Sequence, residues 1–331
     1  MVKRAGVWPF GEEWLFQGLL ETYIPLLDLL ERLHDGGISR ALTIGVTPVL
    51  IEQLQGPELL ERLDRYLESR TALLDSDIER FVGPEETIRR ALAISDRSDL
   101  LQKKARWRDV VGVLRRFYES GEIEILPSAA MHAFLPLLAQ DVSIDAQLAG
   151  GLAISARAFG FEPRGVWLPE CAYRPRLIPI LEAHRLEYFF TDARAVHKSG
   201  GADVLHPCHL PANRVSFFAR NELASGQVGD SDLGYPGDGW YRKYHKQDER
   251  SGVRYWRVTG RQTALSDKLL YEPIHARERA HEHARHFAER IAVELAGSVG
   301  ESPPMQYSRS MRSCSGIGGP RVSSGSKRCW A

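Results

Sequence analysis

Short apolar runs alternate with helical stretches along most of this chain, and that alternation constrains the fold more than any single residue does. A strand reads at Leu42 to Val46, followed by Thr47-Pro48, where a proline opens a helix in its first turn. "EIEILPSAAMHAFLPLL" reads as strand, loop and helix, and "GLAISARAFGFEPRGVWLPE" as helix, turn and strand. "LIPILEAHRLEYFFTDARAVH" gives a helix and then a strand, with Asp192 and His197 just beyond it. Apolar residues at 3.6-residue spacing in "EEWLFQGLLETYIPLLDLLERLHDGG" predict a helix that stops at Gly36-Gly37. Strands that alternate with helices require a parallel sheet covered on both faces, or a barrel. Within that frame, residues from about 55 to 120 are amphipathic and charged and read as a helical insertion. Residues from about 205 to 260 read as a loop excursion. No internal repeat is visible, and 331 residues suffice for one α/β barrel or for two domains.

Composition serves here to exclude. Lys and Arg number 43 against 43 Asp and Glu, so no field draws the chain to nucleic acid or another polyanion. No apolar run approaches the ~20 residues of a membrane span, and "MVKRAGVWPF" lacks the apolar core of a signal peptide. The 4 cysteines (Cys171, Cys208, Cys314 and Cys329) have no CxxC spacing, so a reducing cytoplasm is expected.

In parallel α/β folds chemistry sits outside the carboxyl ends of the strands. The polar residues at those ends are Thr47, Ser128, His132, Glu170, Asp192 and His197. Carboxylates that attack or protonate, groups that hold hydroxyls, and nearby aromatic faces suit sugar chemistry. The sharpest stretch is "GVWLPECAYRP", where a buried strand meets Pro169 and then a carboxylate, Glu170, among Trp167, Cys171 and Tyr173. A lone glutamate after a strand serves more often in a salt bridge than in catalysis, and a histidine placed like His132 is more often a satisfied loop residue than a ligand. The glycine pairs at 237 and 239 or 318 and 319 do not follow a strand, so no phosphate or dinucleotide cradle is present and no cofactor is expected. In "HEHARHF", His283 and His286 lie three apart with no third ligand nearby, which reads as a solvated helix face and not a metal site. "DLGYPGDGWYRKYHK" is either an aromatic-packed turn or a loop that stacks on sugars.

Taken together, these stretches resemble glycoside hydrolase family 57. "WLPECAY" is similar to the family's nucleophile motif. "GYPGDGWYRKYHK" and "YWRVTGRQTALSDKLLYEP" resemble its 1,4-α-glucan branching subgroup. "VWPFGEEWLFQGLLETYIPLL", "LTIGVTPVLIEQL" and "MHAFLPLL" follow the same subgroup in the same order, so the likeness runs from about residue 6 to about 303. It implies an incomplete (β/α)7 barrel with a helical insertion. It also implies a metal-independent retaining transferase that cleaves an α-1,4 bond of amylose or glycogen and moves the chain to a 6-hydroxyl. Carried onto the motif, Glu170 is the nucleophile, with Trp167 and Tyr173 lining the pocket. His132 would lie near the donor sugar, Arg220 and Gly237 would contact glucan, and Tyr235 would lie on a loop over the acceptor, with Asp192 expected in the same cleft within one sugar's reach. A second carboxyl roughly 5–5.5 Å from the nucleophile would protonate the leaving oxygen. The alternatives are a 4-α-glucanotransferase or α-amylase of the same family, or a glucan-binding remnant without activity.

Two departures shape the expectations. The family's histidine-bearing first strand should precede Gly6, yet only MVKRA stands there. The acid/base aspartate should follow Pro303-Pro304, where the chain instead reads "MQYSRSMRSCSGIGG" and carries no acidic residue to its last position. With freely chosen codons, a shifted reading of that stretch becomes "AILPFDAELFGHWW". The expectation is therefore a chain truncated at the N-terminus and frameshifted near 304. Residues 304–331 would form an aberrant, disordered tail, the acid/base aspartate would be missing, and activity would be impaired.

Overall fold

The structure, a computed structural model, describes residues 11–106, 109–198, 204–209 and 214–297. The "GVWPF" opening and the segment from 304 to 331 lie outside those residues. The chain begins with helix α1 (Glu12–Gly18), a π-helical turn (Leu19–Tyr23) and α2 (Ile24–Asp35). Pro25 sits in the first turn of α2, and the wider turn before it accommodates the hydrogen bond that proline cannot donate. Leu15, Phe16, Leu19, Leu20, Ile24, Leu27 and Leu30 bury one continuous stripe. The helix stops at Gly36, as the Gly36-Gly37 pair predicts.

Strand β1 (Leu42–Gly45) leads through α3 (Pro48–Leu54), α4 (Leu59–Arg80), α5 (Thr87–Lys104) and α6 (Val110–Glu119) to β2 (Ile123–Leu126). Helices α4 and α5 form an antiparallel hairpin, since Asp75 meets Arg97 while the earlier Glu68 meets the later Lys104. Then come α7 (Asp141–Phe159), β3 (Gly165–Trp167), α8 (Ile178–Ala183), β4 (Tyr188–Asp192) and α9 (Ala193–Lys198). A two-residue β5 (Cys208–His209) precedes β6 (Ser216–Arg220), α10 (Glu222–Gly229) and the long α11 (Pro273–Ala296).

Strand β1 pairs parallel with β2, β3 with β4, and β4 with β6, while β5 lies antiparallel on the far edge of β6. A parallel bridge between Ser128 and Trp167 joins the two groups. Five parallel strands thus follow one another in chain order without reversal. That winding is a barrel's; a doubly wound sheet reverses its order at a switch point. It agrees with the α/β class and the barrel that the alternation and the resemblance imply.

The pleat divides the side chains between two faces. On the outside, Val166, Leu168, Phe189, Phe217 and Ala219 pack with Leu148, Leu177 and Leu181 from the covering helices. On the inside, Leu126, Trp167 and Phe190 are buried, with Tyr188 and Phe218 against them. Register sets Trp167, Phe190 and Phe218 side by side at one level, where Phe190 stacks on Trp167 at 6.1 Å and on Phe218 at 5.5 Å. One level below, Gly165 leaves room for Tyr188, because a Cβ at Gly165 would stand 2.2 Å from that ring. The Tyr188 hydroxyl bonds Glu124, and burial together with that carboxylate pushes its pKa up.

The stretch from 205 to 260 is not one excursion, since it contains β6 and α10. Along β6 only alternate residues are fully buried, so its apolar signal is weaker than the continuous runs of β3 and β4. The irregular part, about 230 to 272, is fastened to the helical hairpin. Arg242 reaches Asp96 through two bonds of 2.7 and 3.1 Å, and Tyr255 donates to Asp77 at 2.6 Å. Arg80 bridges Asp77 and Asp248, and Arg70 donates to the Ser251 carbonyl at 2.8 Å.

Candidate active site

Glu170 lies on the turn Pro169–Cys171 that follows β3. Cys171 N–H donates to the Leu168 carbonyl at 2.9 Å, closing a β-turn with proline second and Glu170 third. Glu170 has φ 56° and ψ 22°, at a turn position where glycine or asparagine is usual. Cys171 follows at φ 54°, and His132, on the loop after β2, has φ 52°. Among the described residues, three of the six non-glycine residues with positive φ therefore gather at one place. Left-handed backbone costs about 1–2 kcal/mol per residue and persists where surrounding contacts impose it, typically at functional sites.

The conformation turns the Glu170 carboxylate toward His132, whose Nε2 lies 3.3 Å from Oε1. In the neutral tautomer that carries its proton on Nε2, the ring donates to that carboxylate and Nδ1 is an acceptor. That Nδ1 is buried with no hydrogen-bond partner among the described residues. The Glu170 side chain is 50% exposed and that of His132 33%.

Asp192 ends β4 and Arg220 ends β6, paired in register on the inner face one level above the Trp167, Phe190 and Phe218 rings. Arg220 donates to Asp192 at 3.1 Å, and Arg194 at 2.8 Å. Burial alone would raise the Asp192 carboxyl, but the hydrogen bonds from Arg194 and the Arg220 charge outweigh it and hold it below the ordinary carboxylate range. The Nε of Arg220 is a second buried polar atom without a partner among the described residues. Trp167 is 8% exposed, its ring stacked on Phe190 under this polar level.

The structure thus brings His132 to Glu170, and Arg220 to Asp192, at the carboxyl ends of the strands. Tyr173 goes elsewhere. Its ring stacks on Phe189 at 5.0 Å and on Phe217 at 6.2 Å, in the outer layer. It does not line the inner face as expected, because residue parity after the left-handed turn cannot be read from sequence. His197 lies within α9, and Thr47 precedes α3.

Tyr235 and Gly237 occupy the turn Tyr235–Gly237, which packs on α10 and α11. At Gly237 a Cβ would stand 2.3 Å from the Ser231 carbonyl, so glycine is required. Tyr235 stacks on His283 at 4.3 Å and its hydroxyl lies 2.6 Å from His286 Nδ1. The Tyr241 hydroxyl lies 2.7 Å from His283 Nδ1, and Trp240 stacks on His275 at 4.8 Å. This is the aromatic-packed alternative for that loop. The same contacts correct the reading of "HEHARHF" as a solvated face at His283, which is 14% exposed and covered by the loop, while Glu282 and His286 are exposed. Among the described residues no three His, Cys, Asp or Glu side chains converge to hold a metal ion.

Sequence reading missed Thr191 and Arg194. Thr191 interrupts the apolar run of β4 and donates from its buried hydroxyl to the Cys171 carbonyl at 3.0 Å. A lone hydroxyl in "YFFTD" is the signal that could have found it. Arg194 stands two residues past Asp192 and carried no comparable signal.

The winding and the polar level at the strand ends define an α/β barrel with its chemistry at the carboxyl face. The family model of glycosyl hydrolase family 57 matches residues 1–284, and the chain belongs to that family. It is 38% identical to the 1,4-alpha-glucan branching enzyme of Thermococcus kodakarensis over 336 aligned positions, 91% of this chain and 49% of that protein. The crystal structure of a family 57 branching enzyme from Thermococcus kodakaraensis superposes with a TM-score of 0.87 at 34% identity, covering 97% of this chain and 65% of that one. That of the family 57 branching enzyme from Pyrococcus horikoshii gives 0.84 at 36% identity, covering 93% and 60%. The chain spans about half the length of the curated relatives it matches.

Proposed function

We propose that this chain forms the catalytic barrel of a 1,4-α-glucan branching enzyme, a retaining transglycosylase in which Glu170 is the nucleophile. The observation that carries the reading is the strained turn that delivers the Glu170 carboxylate to the carboxyl face beside the His132 imidazole. The carboxylate attacks the anomeric carbon of an α-1,4-glucan, the glycosidic bond breaks, and a glycosyl ester forms. A 6-hydroxyl of another glucan then takes the sugar from the ester. The His132 Nδ1 and Arg220 Nε, buried without partners among the described residues, offer sugar hydroxyls a donor from Arg220 and, in the tautomer protonated at Nε2, an acceptor from His132. Trp167, with Phe190 and Phe218, supports the polar level from below, and Tyr235 with Gly237 is assigned to the acceptor loop. The names of the similar proteins support the substrate class and the branching outcome.

Asp192 is not the proton donor in this reading. A carboxyl held ionised by two arginines is a weak acid catalyst at neutral pH. The leaving-group proton therefore belongs to a different carboxylic acid, and none follows Glu301 in the sequence. We assign the activity to synthesis of a glycogen-like glucan in a reducing cytoplasm. Support comes from the Cys171 thiol buried in the turn of the nucleophile, outside any disulfide. No helix of the described residues is long and apolar enough to cross a membrane.

The test uses α-maltosyl fluoride, whose leaving group departs without protonation. Incubation and peptide mass analysis should find one maltosyl ester within residues 165–175, absent from Glu170→Gln. An ester elsewhere, or an adduct that survives Glu170→Gln, overturns the assignment.

A further inference from the structure

Two buried hydroxyls bracket the turn that carries Glu170. Ser128, just past β2, donates from Oγ to the Trp167 carbonyl at 2.9 Å, where the chain enters the turn. Thr191, in β4, donates from Oγ1 to the Cys171 carbonyl at 3.0 Å, where the chain leaves it. They are 2% and 1% exposed, so water does not compete for either bond. They come from the two strands that flank β3. The ladder with β4 ends at Trp167 and Phe190, and past that point the Thr191 hydroxyl links β4 to the turn, while on the other side the Ser128 hydroxyl adds to the backbone bridge between Ser128 and Trp167.

We propose that Ser128 and Thr191 are positioning residues for the nucleophile, and that they hold the Glu170 backbone in its left-handed conformation so that the carboxylate faces the sugar. The inference rests on the assignment of Glu170. Between the two tethered carbonyls, Glu170 and Cys171 both have positive φ. The Cys171 N–H to Leu168 and Ala172 N–H to Pro169 bonds close the turn from within but fix neither end to the barrel. At the entering end the Trp167 N–H also donates to the Pro127 carbonyl at 2.9 Å, and the two hydroxyls add a bond to the carbonyl on either side of the turn. Both hydroxyls are spent on main-chain carbonyls, so each acts through Glu170. Residues of this kind act on the rate of bond making, because a nucleophile displaced by about 1 Å loses on the order of a hundredfold in rate while substrate binding is spared.

The experiment follows the first burst of fluoride from α-maltosyl fluoride, at increasing concentrations, with the 331-residue chain and its variants. The Glu170 carboxylate attacks the anomeric carbon while the C–F bond breaks and fluoride leaves with the electron pair. Thr191→Val keeps the shape of the side chain but has no donor, and Ser128→Ala removes the other hydroxyl. Each should lower the limiting rate by about tenfold to a hundredfold and leave the half-saturating concentration within about twofold. Thr191→Ser keeps the donor and should restore most of the rate. Thermal unfolding of each variant tells misfolding from misaiming, and Thr191→Ser reports on the bond if Thr191→Val unfolds. Limiting rates unchanged in the folded variants, or Thr191→Ser as slow as Thr191→Val, overturn the inference while Glu170 stands. A wild-type chain that releases no fluoride, or releases as much after Glu170→Gln, overturns the nucleophile assignment and this inference with it.

Discussion

Glu170 occupies a backbone conformation that its own side chain disfavours, and the cost can be isolated by substitution. Glycine visits the left-handed region freely, whereas alanine retains the Cβ that makes it unfavourable. Both Glu170→Gly and Glu170→Ala abolish the carboxylate, so their stabilities differ chiefly through the backbone. Glu170→Gly should be the more stable by about 1 kcal/mol in urea unfolding. Equal stabilities, or an advantage for alanine, would mean that the turn is unstrained. Gly165 presents the opposite case. Gly165→Ala drives a methyl into the Tyr188 ring and should destabilise by about 1–3 kcal/mol, read as a lower urea midpoint with unchanged slope. At this scale the sequence shows which residues stand at strand ends, so Glu170, Asp192 and Ser128 were legible. What Thr191 donates to, and which way the Tyr173 ring faces, depend on strand register and on a left-handed turn. No local pattern encodes either.

Between elements, the loop carrying Tyr235 and Tyr241 is clasped to α11 through His283 and His286. His283 meets Tyr241 and Tyr235 from the loop, Asp238 at 3.5 Å, and Arg279, Glu282 and His286 on its own helix. Burial lowers its pKa, with Asp238 opposing and Arg279 assisting. Because the folded value lies below the ordinary 6.5, the unfolded chain takes up the proton first. Its stabilising contribution is thus present above pH 6.5 and is lost as pH falls through the folded value. In the tautomer whose Nε2 proton faces Asp238, protonation also removes the Nδ1 lone pair that accepts from Tyr241. Stability should therefore fall as pH drops below 6.5, and His283→Gln should flatten that part of the profile. An unchanged slope in His283→Gln would show that another group is responsible. The three-residue spacing of these histidines on a helix was legible in sequence. That they face a loop more than forty positions away was not, because only tertiary packing distinguishes a covered helix face from a solvated one.

At the scale of the whole molecule, alternation of strands and helices was enough to define a parallel sheet, and family likeness to define a barrel. The attachment of residues 230–272 to the α4–α5 hairpin was hidden, because its buried polar pairs, and the Tyr241, Val253, Tyr255 and Tyr271 side chains that pack on Leu74, Phe81 and Leu92, come from irregular chain without a helix or strand period. Tyr255→Phe removes the donor to Asp77, which is 1% exposed, and should cost about 1.5–3 kcal/mol, measured by calorimetry or urea unfolding. Less than half of that would mean that Arg80 alone satisfies the carboxylate.

Activity is also decided at this scale, since a retaining transferase needs an acid as well as a nucleophile. General acid catalysis typically supplies ~10²–10⁴-fold, and Asp192, paired with Arg194 and Arg220, is ionised where it would have to donate. No Asp or Glu follows Glu301 to take its place. Purified 331-residue chain incubated with amylose should therefore leave the iodine colour nearly unchanged, while a version whose frame after Pro304 reads "PFDAELFGHWW" should shift it through new α-1,6 branches. The unaltered chain should nonetheless form the Glu170 ester from α-maltosyl fluoride, since fluoride needs no proton to leave. Ester formation without branching is the signature of a nucleophile that lacks its acid. Strong branching by the unaltered chain, lost in Glu170→Gln and in Asp192→Asn, would instead make Asp192 the acid and refute the role drawn from its two arginines.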